Sequence, residues 1–223
     1  MRVKKLFELS VVHWLIIVTV VFSIVGFISW AVYPDSVNYF ALKPASIFEG
    51  KYLWTLIVHI FSHGSFFHLL INMFVLGSLG SLSEKIIGRK RFLWFYLASG
   101  VFAGVISVLL SVFFGNSAWG ARIFGSPDIY MVGASGAIFA IAGLFVMLLP
   151  RIRFSIIFLP FFSLPAYVMV PLVLFITWIA TAAADLPIGN AAHFGGFLAG
   201  LVYGLFLKIK YKKKVRALQK YFR

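Results

Sequence analysis

The chain of 223 residues contains no cysteine. Disulfides, thiolate metal sites and cysteine nucleophiles are therefore excluded. Acidic residues are also scarce: six Asp and Glu stand against 20 Lys and Arg, and only 12% of residues are charged. Roughly a quarter of an average soluble chain is charged, so a water-soluble domain of this size is excluded as well. No repeat, low-complexity tract or second domain is visible, and 1–223 reads as a single domain. What the chain has instead is apolar bulk, 62% of it hydrophobic, which makes lipid the solvent for most of the protein. A formal charge of +14 would point to nucleic acid in a soluble protein. Here the cations flank apolar runs, which points to membrane topology and anionic headgroups and away from nucleic acid.

A spanning helix needs about 20 mostly apolar residues. Six stretches qualify: 11–32, 67–87, 92–114, 132–149, 164–184 and 188–208. The first follows a basic start, Met1-Arg2-Val3-Lys4-Lys5. It is too long for a signal-peptide core and lacks a clear small-residue cleavage site, so it reads as a span. The run 154–164, with Pro160 and Pro165, reads as an irregular or interfacial lead-in to the fifth span, which Pro171 can kink. With the N-terminus in the cytoplasm, only Lys43, Lys51 and Arg122 of the 20 Lys and Arg fall outside. Cytoplasmic loops attract cations. The expected fold is thus an all-α membrane bundle of six spans, both termini cytoplasmic, with short basic ends at 1–10 and 208–223. The basic tail is expected to touch anionic lipid at most. The long connection 33–66 reads as an outer interfacial loop–helix structure anchored by Trp54. The missing signal peptide and the basic cytoplasmic ends suit a prokaryotic plasma membrane.

In this topology the second, fourth and sixth spans all run from outside to inside. Each carries its polar residues in its first turns: His68 and Asn72, then Ser135, then Asn190 and His193. All five should share one depth below the outer surface. His68 and Asn72 are four residues apart and share a helix face, and polar groups in lipid turn toward the bundle interior. Ser135 needs a base, because a free hydroxyl is a weak nucleophile. The only histidine beyond the second span is His193. Gly196, Gly200 and Gly204 lie on its face, and Gly136, Ala140 and Gly143 line the fourth span. Small-residue faces allow close backbone approach and would bring His193 to Ser135. Asp128 and Asp185 belong to outer loops and Glu84 to an inner helix end, so a dyad is expected and no triad. His68, Asn72 and the Ser135 backbone N–H can serve a developing oxyanion, where one donor is worth about 3–4 kcal/mol.

Taken together, four blocks resemble the rhomboid intramembrane serine proteases. They are His59-Ile-Phe-Ser-His63-Gly-Ser-Phe-Phe-His68-Leu-Leu-Ile-Asn72; Glu84 with Gly88; Gly133-Ala-Ser135-Gly136; and Ala192-His193-Phe-Gly-Gly196 with Gly200. The resemblance covers 59–204, and its order and spacing are far more specific than Gly-x-Ser-Gly alone. It implies Ser135 as nucleophile, His193 as general base, His68 and Asn72 at the oxyanion, and Gly133 shaping the site. It further implies cleavage of transmembrane protein substrates near the extracytoplasmic face, sideways entry near the second and fifth helices, and no metal or soluble cofactor. Two positions depart from the family pattern. Phe139 stands where many members carry a tyrosine under the histidine; it keeps the stacking surface and lacks the hydroxyl. Thr55 follows Trp54 where Trp-Arg is usual, which bears on the polar anchoring of the outer loop.

Plainer roles exist for each residue taken alone. Ser135 and Asn72 are also good interhelical packing residues. His59 and His63 read as structural or interfacial, since no Glu follows them in an HExxH arrangement and cysteine is absent. His13 is given no catalytic role. Glu84 is expected to neutralise Lys85 or Arg89, or to cap helix contacts at the inner face. A client-binding protein on the same scaffold would lack the dyad. A transporter would carry charged residues or broken helices near the midplane in related halves, and no charge lies near a predicted helix centre. The partners expected are substrate spans and the lipid bilayer, without nucleic acid or metal.

Overall fold

A computed structural model describes residues 9–156, 159–184 and 188–222. The basic start at Met1–Lys5 and Asp185 lie outside these residues. Six helices build an all-α membrane bundle: α1 (Val11–Val32), α2 (Phe66–Ile87), α3 (Arg89–Phe114), α4 (Ser135–Leu148), α5 (Ala166–Ala184) and α6 (Asn190–Lys210). All but α4 are long and apolar enough to cross a membrane. With 14 residues, α4 is about 21 Å long, against about 30 Å of hydrocarbon. It is the central helix, and none of its residues is exposed.

The small-residue faces determine what surrounds α4. A Cβ on Gly196 would overlap the Gly136 carbonyl, one on Gly200 the Ala140 carbonyl, and one on Gly204 would crowd Met147 Cβ at 2.6 Å. The paired positions rise together along both helices, so α4 and α6 run parallel at backbone contact, as expected. On its other side, Gly136 faces the Ala103 methyl of α3.

α1 packs on the flank through Val12, Leu15, Thr19, Ser23 and Gly26 and leaves Trp14, Val21 and Ile28 exposed. Its first turn is held by Glu84, whose carboxylate accepts from the Val11 and Val12 N–H groups at 3.0 and 2.9 Å. The Arg89 guanidinium lies 3.6 Å from the same carboxylate. Glu84 thus both caps a helix and meets Arg89. Gly88, at φ 87°, makes the abrupt turn from α2 into α3. That left-handed conformation favours glycine, and it lets α3 begin at Arg89, ahead of the expected 92.

The outer segment contains short helices Pro44–Phe48 and Thr55–Val58. Trp54 is half exposed and stacks on Tyr39 at 6.3 Å. Thr55 is fully buried, and its hydroxyl donates to the Tyr52 carbonyl at 2.8 Å. That bond helps hold Tyr52 at φ 51°, so Thr55 supplies a local polar anchor in this loop.

Two expectations need correction. The run 154–164 is a β-hairpin: β1 (Arg153–Ile156) pairs antiparallel with β2 (Leu159–Pro165). The residues before Pro160 and Pro165 are kept out of the helical region, and the Arg-Phe-Ser-Ile alternation suits a strand with one face on the bundle. Phe154 meets the core ring of Phe145 edge-on at 5.8 Å. The tail is also more than a lipid contact. It forms α7 (Lys212–Tyr221), with Val215 buried and Leu218 packed on the core. Gln219 donates to the Leu148 carbonyl at 2.9 Å, satisfying the C-terminal end of α4.

Candidate active site

Ser135 is the first residue of α4. The first N–H groups of a helix have no intrahelical acceptor, so its hydroxyl and backbone N–H both sit at a helix mouth. The chain reaches it through Gly133, at φ 129°. A Cβ there would lie 2.8 Å from His68 Cε1, 2.9 Å from His68 Nε2 and 3.7 Å from Ser135 Oγ. The imidazole of His68 and the hydroxyl of Ser135 therefore border the space left by the missing side chain. Only glycine combines that backbone angle with that space.

His193, in the first turn of α6, brings Nε2 to 2.9 Å from Ser135 Oγ. Its ring stacks on Phe139 with centroids 4.5 Å apart and 26° between planes. Phe139 is one turn after Ser135, so a single helix carries both the hydroxyl and the surface that orients its partner. His193 Nδ1 is buried and has no hydrogen-bond partner among the described residues. Asp128 is engaged elsewhere, 3.2 Å from Lys43, and Glu84 is at α1. Among the described residues no carboxylate bonds His193 Nδ1, so the geometry they show is that of a pair.

Asn72, one turn after His68 on α2, is buried, and its Nδ2 has no acceptor among the described residues. A buried amide donor without a partner is costly, and here it remains available to an incoming acceptor. Asn190 does something else. Its Nδ2 donates to Thr181 Oγ1 at 2.8 Å, tying α6 to α5.

His59 and His63 are structural, as expected, although the partners they hold were not visible from sequence. The Gly133 N–H donates to the His59 carbonyl at 2.9 Å, and His59 Nδ1 bonds the Thr55 carbonyl at 2.8 Å. His63 Nδ1 meets Ser23 Oγ at 3.0 Å, and its Nε2 accepts from the Ala134 N–H at 3.5 Å. Leu42 and Met131 exchange backbone hydrogen bonds at 2.9 and 2.8 Å. The segment leading to Ser135 is thus fastened to the outer segment. Burial pushes the His59 imidazole down to about 4. Burial, and secondarily the neighbouring His68, push His63 down to about 3. Both are neutral at pH 7, which suits their places in the hydrogen-bond network. No cluster of three or more potential metal ligands occurs among the described residues.

A family model described as Rhomboid domain matches residues 50–210. The presenilin-associated rhomboid-like protein, mitochondrial, of Bos taurus is 34% identical over 173 residues, 75% of this chain and 41% of that protein. RHOMBOID-like protein 5 of Arabidopsis thaliana is 33% identical over 171 residues, 76% of this chain and 48% of that protein. Rhomboid protein 1, mitochondrial, of Saccharomyces cerevisiae is 34% identical over 163 residues, 71% of this chain and 43% of that protein. The chain spans less than half the length of these relatives. Two of the three names are mitochondrial, which lends no support to the expected prokaryotic plasma membrane.

Proposed function

The chain belongs to the rhomboid family, and from that premise we propose that it is an intramembrane serine endopeptidase acting on transmembrane proteins. The observation that carries the proposal is the 2.9 Å approach of His193 Nε2 to Ser135 Oγ, in a chain without a cysteine nucleophile. Ser135 Oγ attacks the carbonyl carbon of a peptide bond in or beside a substrate span, while His193 Nε2 takes the hydroxyl proton. Negative charge then gathers on the carbonyl oxygen. The Ser135 backbone N–H, the Asn72 amide and the His68 imidazole are its proposed donors. Such donors act in a low-dielectric site and need little reorganisation.

Collapse of the adduct breaks the C–N bond, and the proton held by His193 passes to the leaving amine. Water, deprotonated by His193, hydrolyses the acyl-enzyme and restores Ser135. No cofactor enters the cycle. Phe139 supplies the face against which His193 turns over between its two protonation states. Gly133 keeps the space beside Ser135 open.

Cleavage of a reporter with a Gly- and Ala-rich span tests this, in detergent and in liposomes. The expected result is activity in the wild type, loss in both Ser135→Ala and His193→Ala, and no effect of a metal chelator. Equal cleavage by all three proteins would overturn the assignment.

A further inference from the structure

The strongest concentration of charge lies far from Ser135, where α6 leaves the bundle and turns into α7. Residues 208–223 carry eight Lys and Arg and no acid. The elbow is Tyr211, and around it the exposed Lys210, Lys212, Lys213 and Lys214 border a shallow, open depression of the surface. Arg91, at the start of α3, reaches the same residue: its guanidinium donates to the Tyr211 hydroxyl at 3.1 Å and lies 5.3 Å from the ring centre. Lys210 and Lys214 lie within 6.0 Å of the same ring centre. Several exposed cations thus gather around one phenol with no acidic residue in the segment, which makes the elbow a local focus of positive potential. α7 cannot simply swing away from it, because Val215 is buried and Gln219 holds the Leu148 carbonyl.

We propose that this elbow is a binding site for the phosphate headgroup of an anionic phospholipid in the inner leaflet. Its position selects lipid over a soluble anion. Lys210 is the last residue of a spanning helix, so it emerges at the level where headgroups lie. Lysines there attract anionic lipid over about a Debye length. Tyr211 adds the amphipathic ring that favours this boundary. The lysines at the head of α7 face outward while its apolar side covers the bundle, so a bound headgroup presses α7 onto the end of α4. This contact is independent of whether Ser135 is a nucleophile.

The test uses the full chain in vesicles of phosphatidylcholine alone or with added phosphatidylglycerol, reading amide hydrogen exchange of residues 212–222. The lack of native cysteine also allows a single fluorescent label at Ala217→Cys, on the exposed side of α7. Phosphatidylglycerol is expected to slow α7 exchange roughly tenfold, the scale of one or two lysine–headgroup contacts, and to shift the label's emission. High salt should reverse both changes. Lys210→Gln/Lys213→Gln/Lys214→Gln should lose the response, and the matching arginine variant should keep it. Equal exchange in the two lipids, or an undiminished response in the glutamine variant, would overturn the proposal. Equal protection in neutral vesicles by inorganic phosphate would replace lipid with a free anion. Equal protection by polyglutamate would replace it with an acidic protein.

Discussion

The ring of His193 lies nearly flat on that of Phe139, 4.5 Å between centroids, while its Nε2 reaches Ser135 Oγ. One helix turn therefore sets the distance, and the stacked ring sets the angle. Phe139→Ala removes the stack and lets the imidazole rotate. Because misplacement of a catalytic group by about 1 Å costs up to about 100-fold, kcat for reporter cleavage should fall roughly 10- to 100-fold with little change in KM. Phe139→Tyr keeps the ring face and should stay close to wild type. Equal kcat in Phe139→Ala and wild type would show that stacking does not orient the base.

Backbone contact between α4 and α6 makes a second prediction. In Gly196→Ala the new methyl meets the Gly136 carbonyl, a group that cannot move aside. Overpacking should cost about 3 kcal/mol, read as a lower Tm, and cleavage should fall with it. Gly77→Ala is the control. Its Cβ would meet only Ile16 Cδ1 at 3.7 Å, and helix propensity favours alanine by about 1 kcal/mol, so Tm should hold or rise. An unchanged Tm in Gly196→Ala would contradict the close parallel packing.

Glu84 links α1 to α2 through two backbone N–H groups. Glu84→Ala strands both donors. A lost helix cap costs about 1–2 kcal/mol, so Tm should drop measurably in detergent. Glu84→Gln retains one acceptor oxygen and should fall between the two. Indistinguishable melting of all three proteins would remove this role.

Stability should also fall in acid, for a reason located at His59 and His63. The folded His59 stays neutral down to about 4, whereas an unfolded histidine takes up its proton near 6.5. Between those values the unfolded chain holds the proton and the folded chain does not, so stability decreases as pH drops. The contribution is complete above about pH 6.5 and is lost progressively toward pH 4, amounting to roughly 2–3 kcal/mol for one such group. His63 adds in the same direction. Melting curves from pH 7.5 to 4.5 should show the decline starting below about 6.5; a flat Tm would count against neutral histidines in this network.

The parts legible in the sequence were those where polarity or size breaks an apolar pattern. His68, Asn72, Ser135 and His193 stand out because lipid penalises them, and Gly136, Gly196 and Gly200 because they leave room for another backbone. Connections were harder. The hairpin at Arg153–Pro165 is short and apolar on one face, and the same letters fit an irregular interfacial segment. Asn190 shares the depth of His193, yet depth does not say which neighbour it meets; Thr181 on α5 decides that. His59 and His63 stood out as structural, but the partners they hold around Gly133 were hidden for a different reason. Ser23, His59 and Ala134 act through long-range bonds and backbone groups, which leave no periodic trace in the chain.

The brevity of α4 has a consequence for where the site can work. A helix that touches lipid tilts or stretches its surroundings when the host bilayer is thicker or thinner than its apolar length. α4 has no exposed residue. Both of its ends are fixed by protein, Ser135 under the outer segment and Leu148 on Gln219. The depth of Ser135 is therefore measured from the molecule's own walls, and the same chain moved between membranes of different thickness would carry Ser135 with it like a rigid gauge.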